Sequence, residues 1–126
     1  MVSTITTNFP TPNTRDLQYM DGYFFVLKNT GVHYHCTVDD PPTWDVSKFL
    51  TAMMYNSDIN KAGIGLARLS NYLVQFSERS FQLFYDNANA SGSALSNYEQ
   101  AVNQIGCVST DSIEQNDNHI IWVSIL

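Results

Sequence analysis

The sequence predicts an all-β fold of short antiparallel strands, and three observations predict it. Apolar residues recur at the two-residue period of a strand, as in Tyr72, Val74 and Phe76 and again in Phe81, Leu83 and Tyr85. Aromatic residues make up 13% of the chain, with seven Tyr and seven Phe, and such side chains pack well on a pleated surface. Turn-forming groups punctuate the sequence every ~8–12 residues, the spacing of an all-β domain.

The stretch Ile64 to Tyr85 organises the rest. Its first apolar run holds Ile64, Leu66 and Leu69, and the other two are those just named. Ser70-Asn71 and Ser77-Glu78-Arg79 separate the runs. Each break is short enough to close a hairpin, so the stretch predicts a three-stranded meander.

The material before it follows the same plan. Residues 1–21 predict an extended N-terminal arm, rich in Thr, Asn and Pro, with Ile5 and Phe9 as anchors and a short strand at Leu17 to Met20 before Asp21-Gly22. Residues 22–126 then predict one β domain. Tyr23 to Lys28 and Val32 to Val38 form a hairpin across Asn29-Thr30-Gly31, where Gly31 supplies a positive φ. Val32, Tyr34, Cys36 and Val38 share one face of its second strand, and His33, His35 and Thr37 the opposite, polar one. Pro41-Pro42 ends that strand, since proline cannot donate to a ladder. Between Thr43 and Asp58, Trp44, Phe49, Leu50, Met53 and Met54 fit an amphipathic helix capped by Asp45; an irregular loop with a strand at Phe49 to Thr51 fits as well. Asn56-Ser57-Asp58 predicts a turn.

After Tyr85, residues 86–93 read as a polar loop. Asn89-Ala90-Ser91 matches a glycosylation acceptor, but no secretion signal is visible to give it meaning. Tyr98 to Ile105 predicts a strand, with a helix over Ala94 to Gln104 as the competing reading. Ser112 to Gln115 and Ile120 to Ile125 predict a hairpin around Asn116-Asp117-Asn118. An apolar run without a polar exit predicts a truncated piece or a strand completed by another chain. Gly22 to Val26, Asn71 to Val74 and Asn118 to Val123 sit alike, each following a tight polar turn. Their spacing of roughly 45–50 residues is that of successive propeller blades. The expectation is β-propeller-like antiparallel blades, one complete and two partial, too few to close a ring alone.

Charged residues are only 14% and the net charge is −6, against about 25% charged residues in an average domain. The six basic residues are scattered singly, which argues against tight binding to nucleic-acid phosphates. An acidic wall suits a conduit for DNA better than a binder. No segment approaches the ~20 apolar residues of a membrane helix, so no membrane partner is expected. Cys36 and Cys107 read as two buried thiols, with one disulfide as the alternative.

No constellation carries chemistry. His33, His35 and His119 could offer three nitrogens to a metal, but no Cys or carboxylate stands at ligand spacing. Asp39, Asp40 and Asp45 lack the alternation and central Gly of a calcium loop. No carboxylate pair is marked out for glycoside hydrolysis, and no phosphate loop or nucleophile elbow occurs. The expectation is no catalytic residue, no metal and no cofactor. Glu78 and Arg79 occupy a hairpin corner and read either as an intersubunit ion pair or as an exposed turn pair contributing under ~1 kcal/mol.

The succession Ala67-Arg68-Leu69, Tyr72 to Phe76, Glu78 to Tyr85, Ile105-Gly106-Cys107-Val108, Asp111-Ser112-Ile113 and Ile120 to Val123 resembles the packaged-DNA stabilisation proteins of short-tailed bacteriophages, also called tail hub or tail accessory proteins. The hairpin from Tyr23 to Val38, with Pro41 and Trp44, is similar to a preceding blade, so the resemblance covers most of residues 22–124. Ser77 stands where the family commonly has Gly, and Gln82 where an acidic residue is common. The resemblance implies a propeller-like body in the virion tail, assembled in the host cytoplasm as copies of itself in a ring. Its other partners would be the portal and other tail proteins, with at most passive contact with packaged DNA. It implies a hub or channel below the portal that retains the genome, without catalysis. The alternative is a carbohydrate-binding β module of a tailspike or lectin-like propeller.

Overall fold

A computed structural model describes residues 8–52 and 61–124, with the side chains of 99–102 excepted. Met53, Met54, the turn at 56–58, the anchor Ile5 and the end of the last apolar run lie outside them. The regular strands among the described residues are all antiparallel, with a 3-10 turn at Thr110–Ser112.

Four strands form the first sheet: β1 (Thr14–Met20), β2 (Tyr23–Lys28), β3 (Val32–Thr37) and β4 (Asp40–Thr51), in that spatial order. A second four-stranded sheet repeats the plan with β5 (Gly65–Leu69), β6 (Tyr72–Phe76), β7 (Phe81–Asp86) and β8 (Leu95–Asn103). A third, two-stranded sheet pairs β9 (Glu114–Gln115) with β10 (Ile120–Ile121). Each sheet is a meander whose neighbours in space are neighbours in sequence, the topology of propeller blades.

Most turns are those the sequence encodes. Asp21 and Gly22 both take positive φ, 53° and 85°, closing β1–β2 on the Met20↔Tyr23 pair as a two-residue hairpin turn requires. Gly31 has φ 89° in the next turn. Asn116 Oδ1 accepts the amides of Asn118 and His119, shaping the β9–β10 loop.

The structure corrects three expectations. The N-terminal arm does not extend to residue 21, because β1 begins at Thr14 and pairs along β2. The first meander is therefore four-stranded, so the described chain holds two four-stranded sheets and one two-stranded one. No helix forms after Pro42; β4 runs through both prolines to Thr51. As the outermost strand it has a free side on which a missing N–H does no harm. Its pairing skips from Tyr34↔Phe49 to Cys36↔Trp44, and in the bulge between them Asp45 Oδ1 accepts the amide and hydroxyl of Ser47. The residue expected to cap a helix thus caps a bulge. The strand expected from Tyr98 forms as β8, starting earlier at Leu95 and pairing with β7, so the competing helix over Ala94 to Gln104 does not occur.

The sheets stack front on back. Met20, Phe25, Leu27 and Ala52 from the first meet Leu66, Leu73, Phe84 and Leu95 from the second. On the far face of the second sheet, Ala67, Val74 and Phe76 meet Cys107, Ile113, Ile120 and Trp122. Residues 73–76 are consequently all buried, because neighbouring residues point into different cores. Gly106 marks one close approach: a Cβ there would lie 1.9 Å from the Glu78 carbonyl oxygen.

Phe84 and Phe76 are fully buried, the latter with ring centroids 4.8 Å from Trp122 and 6.1 Å from Phe81. Replacing either by Ala is expected to cost about 3–5 kcal/mol, read as a lowered denaturation midpoint at unchanged slope. Phe81→Ala, at a half-buried position, is expected to cost less. Gly106→Ala should destabilise by about 1–3 kcal/mol, since backbone must move to admit the methyl.

Candidate functional surfaces

The joint between the first two sheets is polar at its centre. His33 and His35 do not lie on a solvated face as expected; they are 0% and 3% exposed and point at the second sheet. Gln75 Nε2 donates to the Gly31 carbonyl at 2.7 Å, which turns its Oε1 toward His33 Nδ1 at 2.8 Å. Since Oε1 can only accept, His33 carries its proton on Nδ1. Its Nε2 has no partner among the described residues, and the ring lies edge-on to Phe84 at 4.6 Å. His35 Nε2 accepts the Ala94 amide at 3.0 Å, so its proton is on Nδ1 and goes to the Cys36 carbonyl at 2.6 Å. Both rings are held neutral: burial lowers the His33 pKa to about 4 and, as the largest cause, lowers that of His35. His119 is an exposed loop residue, and among the described residues no three His, Cys, Asp or Glu side chains gather as a metal site.

The leading strands of the three sheets come together along one edge. Asp16 Oδ2 accepts the Leu66 amide at 2.9 Å, joining β1 to β5. Gln115 Oε1 accepts both the Arg68 amide at 2.8 Å and Gln18 Nε2 at 3.1 Å, joining β9 to the other two. Thr110 donates its hydroxyl to the Ile64 carbonyl. A shallow cleft of ≈ 390 Å³ runs here, with Asp16, Asp111 and Glu114 in its lining and no Lys or Arg. Burial raises the Asp16 pKa, while the Leu66 and Leu17 amides pull it the other way.

A second, open cleft of ≈ 880 Å³ is lined by Tyr72, Tyr85 and Tyr98 together with Asp21, Asp86, Asn71 and Asn97. The front of the first sheet is a third surface. Leu17, Tyr19, Phe24, Val26, Tyr34 and Phe49 follow one another across its four strands by register, and Leu17, Tyr19 and Phe49 are 54%, 45% and 46% exposed. Phe9 packs edge-on against Trp44 at one corner.

Of the sequence candidates, Glu78 pairs within the chain, its carboxylate 3.4 Å from Lys61 Nζ, and Arg79 is exposed. Cys36 and Cys107 are free and buried, and burial pushes the Cys36 thiol up. Asn89 donates its amide to Ser93, Leu95 and Ser96, so it braces the loop before β8. Sequence reasoning missed the tyrosine cleft, although the two-residue spacing and the register of three strands carry it. It also missed Gln75, whose only signal was a lone polar residue inside an apolar run.

The family model described as "Bacteriophage P22 Gp10, beta-propeller" matches residues 3–125 of the chain. No curated protein matches it.

The histidine joint predicts acid sensitivity. A folded pKa below the unfolded value of 6.5 means that the unfolded chain binds the extra proton, so stability is complete above pH 6.5 and falls as pH drops toward about 4. The fall attributable to His33 is about 3 kcal/mol. Asp16 shifts in the opposite sense, with stability falling as pH rises through a window beginning near 3.8. Denaturation of wild type and His33→Phe from pH 7.5 to 4.5 should show the wild-type slope flattened in the variant; parallel slopes would contradict the assignment.

Proposed function

Because the chain belongs to the bacteriophage P22 Gp10 β-propeller family, we propose that it forms part of a hub or channel below the portal and helps hold the packaged genome in the head. The family is a phage tail protein that stabilises packaged DNA, which makes its members virion components. The observation that carries the finer reading is the edge where the leading strands converge. Its cleft presents carboxylates without a cation, and a surface of that sign lets DNA pass without adhering. The work is mechanical, with no catalytic step and no cofactor.

Several copies in a ring complete the reading, with the portal and other tail proteins as further partners and assembly in the host cytoplasm. The front face of the first sheet supports self-association. Faces of the same kind are covered inside the chain by the next sheet, whereas this one leaves large apolar side chains exposed, the mark of an interaction surface. The corner residues Glu78, paired with Lys61 within the chain, and the exposed Arg79 are an interface candidate of lesser weight.

Depleting the chain during infection tests the role. Particles should fill and then lose their DNA to added nuclease, with portal and head intact; particles that keep their genome would refute it. For assembly, light scattering after size exclusion should show a discrete multimer, which Tyr19→Asp with Phe49→Asp reduces to monomer at unchanged circular dichroism. A wild-type monomer up to high concentration would refute the ring.

A further inference from the structure

We infer that the outer face of the third sheet is an interaction surface, and that its partner is the front of the first sheet on a second copy of this chain. The inference rests on the self-association proposed above and names the surface that meets the front face. Ile120 and Trp122 pack on the second sheet, and Ile121 and Val123, alternating with them, are 72% and 57% exposed. Val108, whose amide donates to the Val123 carbonyl at 2.9 Å, and Ile105, which shares a cleft with Ile121 and Trp122, extend the patch. All four are exposed and apolar, the composition of an interaction surface.

The choice of partner comes from how the chain stacks its own sheets. The back of the first sheet, with Phe25 and Leu27, meets the front of the second, with Leu73 and Phe84. The back of the second, with Val74 and Phe76, meets the front of the third, with Ile120 and Trp122. A back meets a front at both joints. Among the described residues two faces have no sheet against them, the front of the first sheet and the back of the third. They are one of each kind, so the third sheet of one copy can seat on the first sheet of the next by the rule that both internal joints obey. The front of the first sheet also selects which back it takes. Val26 and Tyr34 pair across β2 and β3 at the register where Gln75 and Gln82 pair across β6 and β7, counted from the matching turn pairs Met20↔Tyr23 and Leu69↔Tyr72. At the internal joint Gln75 receives His33. With Val26 in that place, a back that carries histidines would bury an N–H unpaired. Ile121 and Val123 need no acceptor. The two faces also carry opposite charges, which favours their meeting: Lys28 lies 5.8 Å from the Tyr34 ring centroid on the front, and Glu114 pairs with Ile121 on the outer face.

The test uses the full chain in two variants, each blocking one surface at exposed positions. Tyr19→Asp with Phe49→Asp spoils the front of the first sheet, and Ile121→Asp with Val123→Asp spoils the outer face of the third. Each variant alone should run as a monomer in light scattering after size exclusion, with circular dichroism and melting unchanged. Mixed, they should pair one to one, because each supplies the surface that the other lacks and the pair cannot extend. Ile121→Asp alone should raise the concentration needed for assembly roughly tenfold or more. If the third-sheet variant still assembles while the front-face variant does not, self-association stands and this choice of partner surface is overturned. Two variants that fail to pair on mixing overturn it as well, and a wild type that stays monomeric overturns both readings.

Discussion

The arrangement of the first two sheets depends on one buried hydrogen-bonded chain, from His33 Nδ1 to Gln75 Oε1 and from Gln75 Nε2 to the Gly31 carbonyl. Around it the core is apolar and tolerant of sliding, since Phe25, Leu27, Leu73 and Phe84 make contacts without preferred direction. The amide of Gln75 has direction. It must find a carbonyl on one side and a ring N–H on the other, and a shift by one residue would bury both unpaired. His35, accepting from Ala94, repeats the constraint nearer β8. Two polar fasteners therefore fix how one blade seats on the next, while the apolar residues supply the bulk of the attraction.

That division of labour recurs at the converging edge. Asp16 and Gln115 each spend a side-chain oxygen on a backbone amide of β5, so the leading strands are tied by polar groups at the rim of an apolar interior. The Asp16 carboxylate is thereby structural and also lines the cleft beside it. The acidity of this edge follows in part from how the sheets are joined.

Hairpins were legible in the sequence because each is a local event: Asp21-Gly22, Gly31 and Asn116 need only their own neighbours to adopt their turns. Faces were less legible. Alternation assumes that one side of a strand meets water, and that assumption placed His33 and His35 outside. Here a second sheet covers them, an event set by residues about forty positions away. The stretch after Pro42 failed for a related reason. Trp44 and Phe49 are spaced for a helix, yet a bulge lets both reach the front of the first sheet, and only the pairing partner β3 reveals it. The tyrosine cleft needed the register of three strands before its residues became a set.

Front-on-back stacking leaves a chain of blades with two unlike ends. At the first sheet the free face is largely apolar from β1 to β4, with Lys28 over the Tyr34 ring. At the other end β9 and β10 cover part of the second sheet, and the surface of Tyr72, Tyr85 and Tyr98 stays open. A contact that joins one end to the other cannot be two-fold, because a two-fold contact needs the same patch on both partners. Any contact that places one end against the other is head to tail. It closes into a ring only if the rotation from one copy to the next divides the circle. The polar fasteners that fix the angle between sheets within a chain are the same kind of device that such closure demands between chains. In the ring proposed above, precision at His33 and Gln75 bears on assembly geometry as well as on the stability of a single chain.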